Sequence, residues 1–220
     1  MSSSPPLRPA TLVILARHGE TADNRRLVFQ GQTGRGLNAL GKAQAERLAA
    51  RLAKHPPDAI VASDLERAHE TAQIIAKATQ LPVALDRDLR EVDVGVWSGK
   101  SYREIAEQYP EEWAAWSQGL DVRRGGGETY AELATRIERA VSSTVAVRPG
   151  KRILFVSNGG AIKSYVAKLL GVDAKGHRAL AGVGNCGLTV IALDNEGRAR
   201  LETWNDTSHL EGMVVDEHTD

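Results

Sequence analysis

The chain of 220 residues has a single cysteine, Cys186. An internal disulfide is excluded, which fits a reducing compartment, and a lone thiol of this kind reads as a small core residue. There is also no excess of charge: 28 Lys and Arg balance 28 Asp and Glu. Proteins of nucleic acid or of membrane surfaces usually carry a basic excess, so neither is expected as a partner. An anionic ligand would need positive charge gathered locally in a pocket. No apolar stretch reaches the roughly 18 residues of a membrane span. Met1 to Pro6 lacks the apolar core of a signal peptide, so a cytoplasmic location is expected. There is no internal repeat and no G-x-G-x-x-G opening the first helix, which argues against a dinucleotide site. His55, His69, His177, His209 and His218 show no metal-ligand spacing, so neither a metal nor a cofactor is expected.

What is present is an alternation of strand and helix patterns. Thr11–Ala16, Ala59–Ala62, Val83–Leu85 and Arg152–Val156 read as short buried strands. Leu40–Lys54 reads as a helix with Leu40, Ala43, Leu48 and Leu52 inward, stopped by Pro56-Pro57. Ser63-Asp64 offers capping oxygens to a helix running to about residue 79, with Ala68, Ala72, Ile75 and Ala76 on its core side. Residues 101–119 look helical, restarting at Pro110, and Trp113 and Trp116 share a face. Glu128–Val147 and Gly159–Leu170 are further helices, and residues 187–193 and 198–204 flank a glycine-containing hairpin turn. This order predicts a three-layer α/β/α fold whose mixed, mostly parallel sheet has about six strands, one antiparallel strand lying near an edge. One domain is expected over 11–208, with loose tails at 1–10 and 209–220, the latter acidic.

The chemistry gathers at Arg17-His18-Gly19-Glu20-Thr21, directly after the first strand. A cation and an imidazole stand there at the strand end, where open α/β sheets bind ligands. A neutral imidazole beside a fixed cation can attack an electron-poor phosphorus. Arg67 also follows a strand and, in a parallel sheet, emerges on the same side. Guanidinium forks match the oxygens of a phosphate monoester.

Arg17-His18-Gly19 resembles the signature of the histidine phosphatase superfamily, the phosphoglycerate mutase-like proteins. The likeness recurs in order at Gln30-Gly31, Ser63–Ala68, Leu89-Arg90-Glu91, Gly95–Gly99, Gly126–Thr129 and Val156–Gly160, covering roughly 12–205. By that resemblance His18 is the nucleophile that becomes phosphohistidine, and Glu91 is the acid that protonates the leaving oxygen and then activates water. Arg17, Asn24, Gln30, Gly31, Arg67 and Gly159 are expected to bind the substrate. Where the family usually has a second histidine, this chain has Asn158, which can donate through its amide but carries no charge. Phosphate binding should therefore survive better than turnover.

Three functions stay open on the sequence. The first is a phosphomonoesterase acting on a small phosphorylated metabolite and slowed by Asn158. The second is a phosphoglycerate mutase, against which the short span between Glu91 and Gly126 argues. The third is a catalytically impaired phospho-ligand-binding protein. A homodimer also stays open. Gly34 and Gly36 make a flexible loop near the site. Residues 102–116 would roof it, Arg123-Arg124 is either a contact to an anionic substrate or a solvated turn, and Trp97, Trp113, Trp116 and Trp204 read as core or pocket wall.

Overall fold

The computed structural model describes residues 10–172 and 176–213. β1 (Thr11–Arg17) is followed by a single helical turn, α1 (Ala22–Arg25), and then by α2 (Ala39–Ala53). Next come β2 (Ala59–Ala62), α3 (Glu66–Thr79) and β3 (Val83–Leu85). The long excursion before β4 (Arg152–Ser157) holds α4 (Tyr102–Gln108), α5 (Pro110–Ser117) and α6 (Tyr130–Ala146). α7 (Gly159–Leu169), β5 (Leu188–Leu193) and β6 (Ala199–Asp206) complete the order.

Among the described residues six strands form one sheet in the order β3-β2-β4-β1-β5-β6. β1, β2, β3 and β4 run parallel. β5 is antiparallel to both of its neighbours, so the one reversed strand lies beside the edge strand β6, as the element order predicts. Side chains alternate across the pleat. Val13 and Leu15 of β1, with Ile153 and Phe155 of β4, face the layer of α6 and α7 (Leu133, Ile137, Ile162 and Val166). Ile14, Ala16, Leu154 and Val156 face the other layer, that of α2 and α3 (Leu48, Leu52, Ala72 and Ile75). Each large side chain buried in these layers contributes about 1.5–3 kcal/mol.

Most helix ends carry their own signals. Asn38 accepts from Gly41 N–H at 2.7 Å to start α2, and Thr129 with Glu132 forms a capping box on α6. Pro110 stands at the start of α5. Three expectations need correction. The buried face of α2 runs through Gln44, Ala45, Leu48 and Leu52, and Leu40 and Ala43 are only half-buried. Gln44 goes inside because its Oε1 accepts from Glu20 N–H at 2.9 Å. Asp64 does not cap α3; its carboxylate is taken by a two-pronged contact from Arg90 (2.6 and 2.7 Å). Packing also continues past 208, where the second tail was expected to begin. Leu210 is buried in the α2 layer and Met213 packs on it, while 1–9 and 214–220 lie outside the described residues.

Candidate active site

β1 and β4 are paired in register, with Arg17 opposite Ser157. The next residue of each strand, His18 and Asn158, therefore emerges at the same carboxyl edge. β2 ends one strand over, with Ala62 opposite Val156, and the start of α3 brings Arg67 to the same edge. These ends open into a cavity of about 500 Å³.

His18 is buried, with its backbone N–H donating to the Ser157 carbonyl at 3.0 Å. Its ring Nδ1 lies 2.7 Å from the Gly19 carbonyl, which can only accept, so Nδ1 carries the hydrogen and Nε2 keeps its lone pair. Burial, and then the charges of Arg67 and Arg17, hold the imidazole well below its ordinary pKa. The ring is neutral at pH 7. The carbonyls beneath it are also held: Asn185 Nδ2 donates to His18 O at 3.0 Å and Cys186 N–H to Arg17 O at 3.1 Å. Cys186 is fully buried, and burial pushes its thiol up, so it acts as packing. Gly19 is required for closeness: a Cβ there would lie 2.3 Å from the carbonyl oxygen of Gly41.

Arg67 is held at every nitrogen. Nη2 donates to Gly31 O and Nη1 to Thr33 O (both 2.7 Å), and Nε to Asn158 Oδ1 at 2.9 Å. Burial pulls its pKa down to about 10, so it stays charged at neutral pH. Arg17 Nη1 donates to Val183 O at 2.5 Å, and both guanidiniums line the cavity with His18. Arg67 is thus no surface partner of Glu66 or Glu70; Glu70 instead accepts from Leu37 N–H and pairs with Lys42.

The other expected ligands divide. Gln30 lines the cavity with its Oε1 buried and without a hydrogen-bond partner. Gly159 lines it too, and a Cβ there would come 3.3 Å from Arg17 Nε. Asn24 reaches the wall, but its Oδ1 is taken by Thr21 N–H (3.1 Å) and the Thr21 hydroxyl (3.0 Å) in the cap of α1. Gly31 reaches the wall while its carbonyl supports Arg67. Asn158 departs from expectation. It is fully buried and is not part of the cavity wall. Its oxygen must face the Arg67 donor, which turns Nδ2 to the Leu89 carbonyl at 3.3 Å. The amide fixes Arg67 through its oxygen and holds the Leu89 carbonyl through its nitrogen.

Glu91 lines the cavity, accepting from Gly160 N–H at 3.0 Å and from Val92 N–H at 2.8 Å. Arg136 clamps the segment that carries it, donating to the carbonyls of Asp88, Arg90 and Glu91 at 2.6–2.8 Å while pairing with Glu128. Glu128 exchanges hydrogen bonds with Asp93, and a Cβ on Gly127 would fall 2.1 Å from the Asp93 carbonyl oxygen. The Gly126–Thr129 motif is therefore a clasp behind the segment that carries Glu91. Arg123 and Arg124 part ways: the first pairs with Glu132 at the surface, and the second is buried in the cavity wall. Tyr102 and Trp116 roof the cavity, leaning on Phe29, Trp97 and Trp113. Lys163, His177 and Arg178, which the sequence did not single out as ligands, also line it. Lys163 had a legible signal, standing one helical turn beyond Gly159. Among the described residues no three His, Cys, Asp or Glu side chains gather as a metal-binding set. No helix among them is long and apolar enough to cross a membrane.

A sequence model of the histidine phosphatase superfamily (branch 1) matches residues 13–207. The chain belongs to that superfamily. Among its relatives is glucosyl-3-phosphoglycerate phosphatase of Mycobacterium tuberculosis, 32% identical, with 94% of this chain and 99% of the relative covered. Phosphoglycerate mutase-like protein 4 of Arabidopsis thaliana is 36% identical, with 90% and 86% covered. Among solved structures, the mycobacterial glucosyl-3-phosphoglycerate phosphatase in complex with VO3 superposes with a TM-score of 0.82 at 33% identity, covering 88% of this chain and 98% of that one. A phosphoserine phosphatase mutant of Entamoeba histolytica in complex with phosphoserine gives 0.82 at 29% identity, covering 91% and 99%.

Proposed function

We propose that the chain is a phosphomonoesterase that passes the phosphoryl group through His18. The observation that carries this is the state of that ring: neutral, anchored through Nδ1, and set with its free nitrogen in a cavity beside two guanidiniums. Phosphoryl transfer asks a protein chiefly for position and for charge around the transferring group. Arg17 and Arg67 supply the charge, and the N-terminal end of α7, where Gly159 and Gly160 meet the cavity, adds its dipole.

His18 Nε2 attacks phosphorus and the ester P–O bond breaks. The departing alkoxide takes a proton from Glu91. Water then gives a proton to Glu91 and attacks phosphorus, the P–N bond breaks, and inorganic phosphate leaves a neutral imidazole behind. Names of phosphatases acting on glucosyl-3-phosphoglycerate and on phosphoserine among the relatives support a small phosphorylated metabolite as substrate. With Asn158 turned to Arg67, one charged donor of the family pattern is missing from the phosphoryl oxygens. Breakdown of the phosphoenzyme is the step this slows. The test is release of phosphate from a monoester panel, with an alkaline denaturing quench to trap the acid-labile phosphohistidine. His18→Ala abolishes both signals. Release that is undiminished in His18→Ala overturns the mechanism, and interconversion of 2- and 3-phosphoglycerate without phosphate release makes the chain a mutase.

A further inference from the structure

The start of helix α2 grips Glu20, two residues beyond His18, at three groups. The Asn38 N–H donates to the Glu20 carbonyl at 3.0 Å, Asn38 Nδ2 donates to Glu20 Oε1 at 2.7 Å, and Gln44 Oε1 accepts from the Glu20 N–H at 2.9 Å. That N–H belongs to the same planar amide as the Gly19 carbonyl, which accepts from His18 Nδ1 at 2.7 Å. An unbroken chain therefore runs from the ring, through one peptide unit, to a side chain of α2. Hydrogen bonds in series polarise one another, and His18, Glu20 and Gln44 are all buried, Gln44 completely.

Gln44 is poor as mere filling. It satisfies one buried donor but brings another, Nε2, which has no partner. An unmet buried donor costs at least what the met one returns. What the side chain does supply is an oxygen at a fixed point, facing an N–H that can only donate. The neighbouring amide, His18–Gly19, is held from other elements. Its carbonyl accepts from Asn185 Nδ2 (3.0 Å) and Cys186 N–H (3.2 Å), and its N–H donates to the Thr71 hydroxyl of α3 (3.1 Å). None of these three contacts lies on the amide that meets the ring.

We propose that Gln44 is a positioning residue for the nucleophile: through the Gly19–Glu20 amide it keeps the hydrogen on His18 Nδ1 and the lone pair on Nε2. Gln44 is not part of the cavity wall, so it acts through the backbone and never on the substrate. Without its oxygen the amide is free to tilt, and Nδ1 loses a directed acceptor. The ring then shares its hydrogen between two nitrogens, and an imidazole protonated at Nε2 has no lone pair there to attack phosphorus.

The inference rests on His18 as nucleophile, and two readouts on Gln44→Met, which fills a similar volume without the acceptor, keep the two apart. In nitrogen-15 NMR of the His18 ring, the wild type is expected to show a protonated Nδ1 and a bare Nε2, and Gln44→Met a mixture of both tautomers. In single turnover with p-nitrophenyl phosphate, phosphohistidine formation is expected to slow about 10-fold, the order of one neutral hydrogen bond. The dissociation constant of the ester stays put, because Arg17 and Arg67 are untouched. Thr71→Val removes a strut from the same loop but not from that amide; it is expected to lower the melting temperature and leave the tautomer intact. Either a tautomer or a formation rate unmoved in folded Gln44→Met overturns the proposal. So does a Thr71→Val variant that mixes the tautomers as strongly, since Gln44 then only supports the loop. If Gln44→Met does not fold, Gln44→Asn, whose amide stops one methylene short of the Glu20 N–H, decides by the same readouts. If the wild type forms no phosphohistidine, the assignment of His18 as nucleophile fails, and the tautomer alone then decides the role of Gln44.

Discussion

Asn158 spends both ends of its amide on the protein itself. Its oxygen satisfies Arg67 Nε and its nitrogen is spent on a backbone carbonyl. Asn158→Ala leaves that guanidinium nitrogen buried without an acceptor, at about 1–3 kcal/mol. Thermal melting should register the loss together with a higher KM. Asn158→His supplies the missing charged donor and is expected to raise kcat by about tenfold or more, on the scale of one preorganised donor. Steady-state kinetics at saturating substrate check this, and no gain means the site has been rebuilt around the amide. Glu91→Gln should cost about 10² in kcat for an alkyl phosphate and far less for an activated aryl phosphate, whose leaving group needs no proton. Equal losses on the two esters contradict the acid role.

Secondary-structure elements matter here through where their ends meet. The loop after β1 passes so close to α2 that a Cβ on Gly41 would lie 2.1 Å from the Glu20 carbonyl oxygen. Gly41→Ala therefore pushes the loop whose Gly19 carbonyl holds His18 Nδ1. We expect a stability loss of the order of 2 kcal/mol in urea unfolding and a lower kcat in the folded fraction. The strands and helices themselves were legible in the sequence, because their apolar periodicity is local: β1, β4, α3 and α7 lie within about two residues of their expected bounds. The front of the site was legible too, since Arg17, His18 and Arg67 all follow strands. Its back was not. Arg136 clamps the Glu91 segment from 45 residues away, and Asn185 holds the His18 carbonyl from 167 away. Neither has a local pattern. Arg123 and Arg124 are adjacent and alike, and only the left-handed backbone at Gly125 and the packing on Tyr130 send one out and the other in. The inward face of α2 was misjudged for the same reason. Nothing local says that Gln44 has a backbone partner across the loop.

For the molecule as a whole, two buried imidazoles, His18 and His177, and the half-buried His209 set its response to acid. His18 lies well below its ordinary value, and His177 and His209 sit at about 4. Burial is the leading cause in each case, reinforced by arginine charges nearby. In the unfolded chain all three titrate near 6.5, so below that pH the unfolded state binds more protons than the native one. Stability is then fully present above about 6.5 and falls as the pH drops towards 4. Melting temperatures at pH 7.5, 6.5 and 5.5 should show a plateau followed by a decline. A melting temperature that holds steady to pH 5 contradicts the neutral buried rings.

The pairing of β1 with β4 has a consequence for synthesis. The two strands are neighbours in space, yet about 135 residues separate them along the chain. A nascent polypeptide that has left the ribosome only as far as β3 already owns both guanidiniums and the His18 ring, but lacks the strand that aligns them. Such pairings between distant segments form slowly. The partly made chain thus lacks the assembled cavity, and a ligand bound there would latch only the completed molecule.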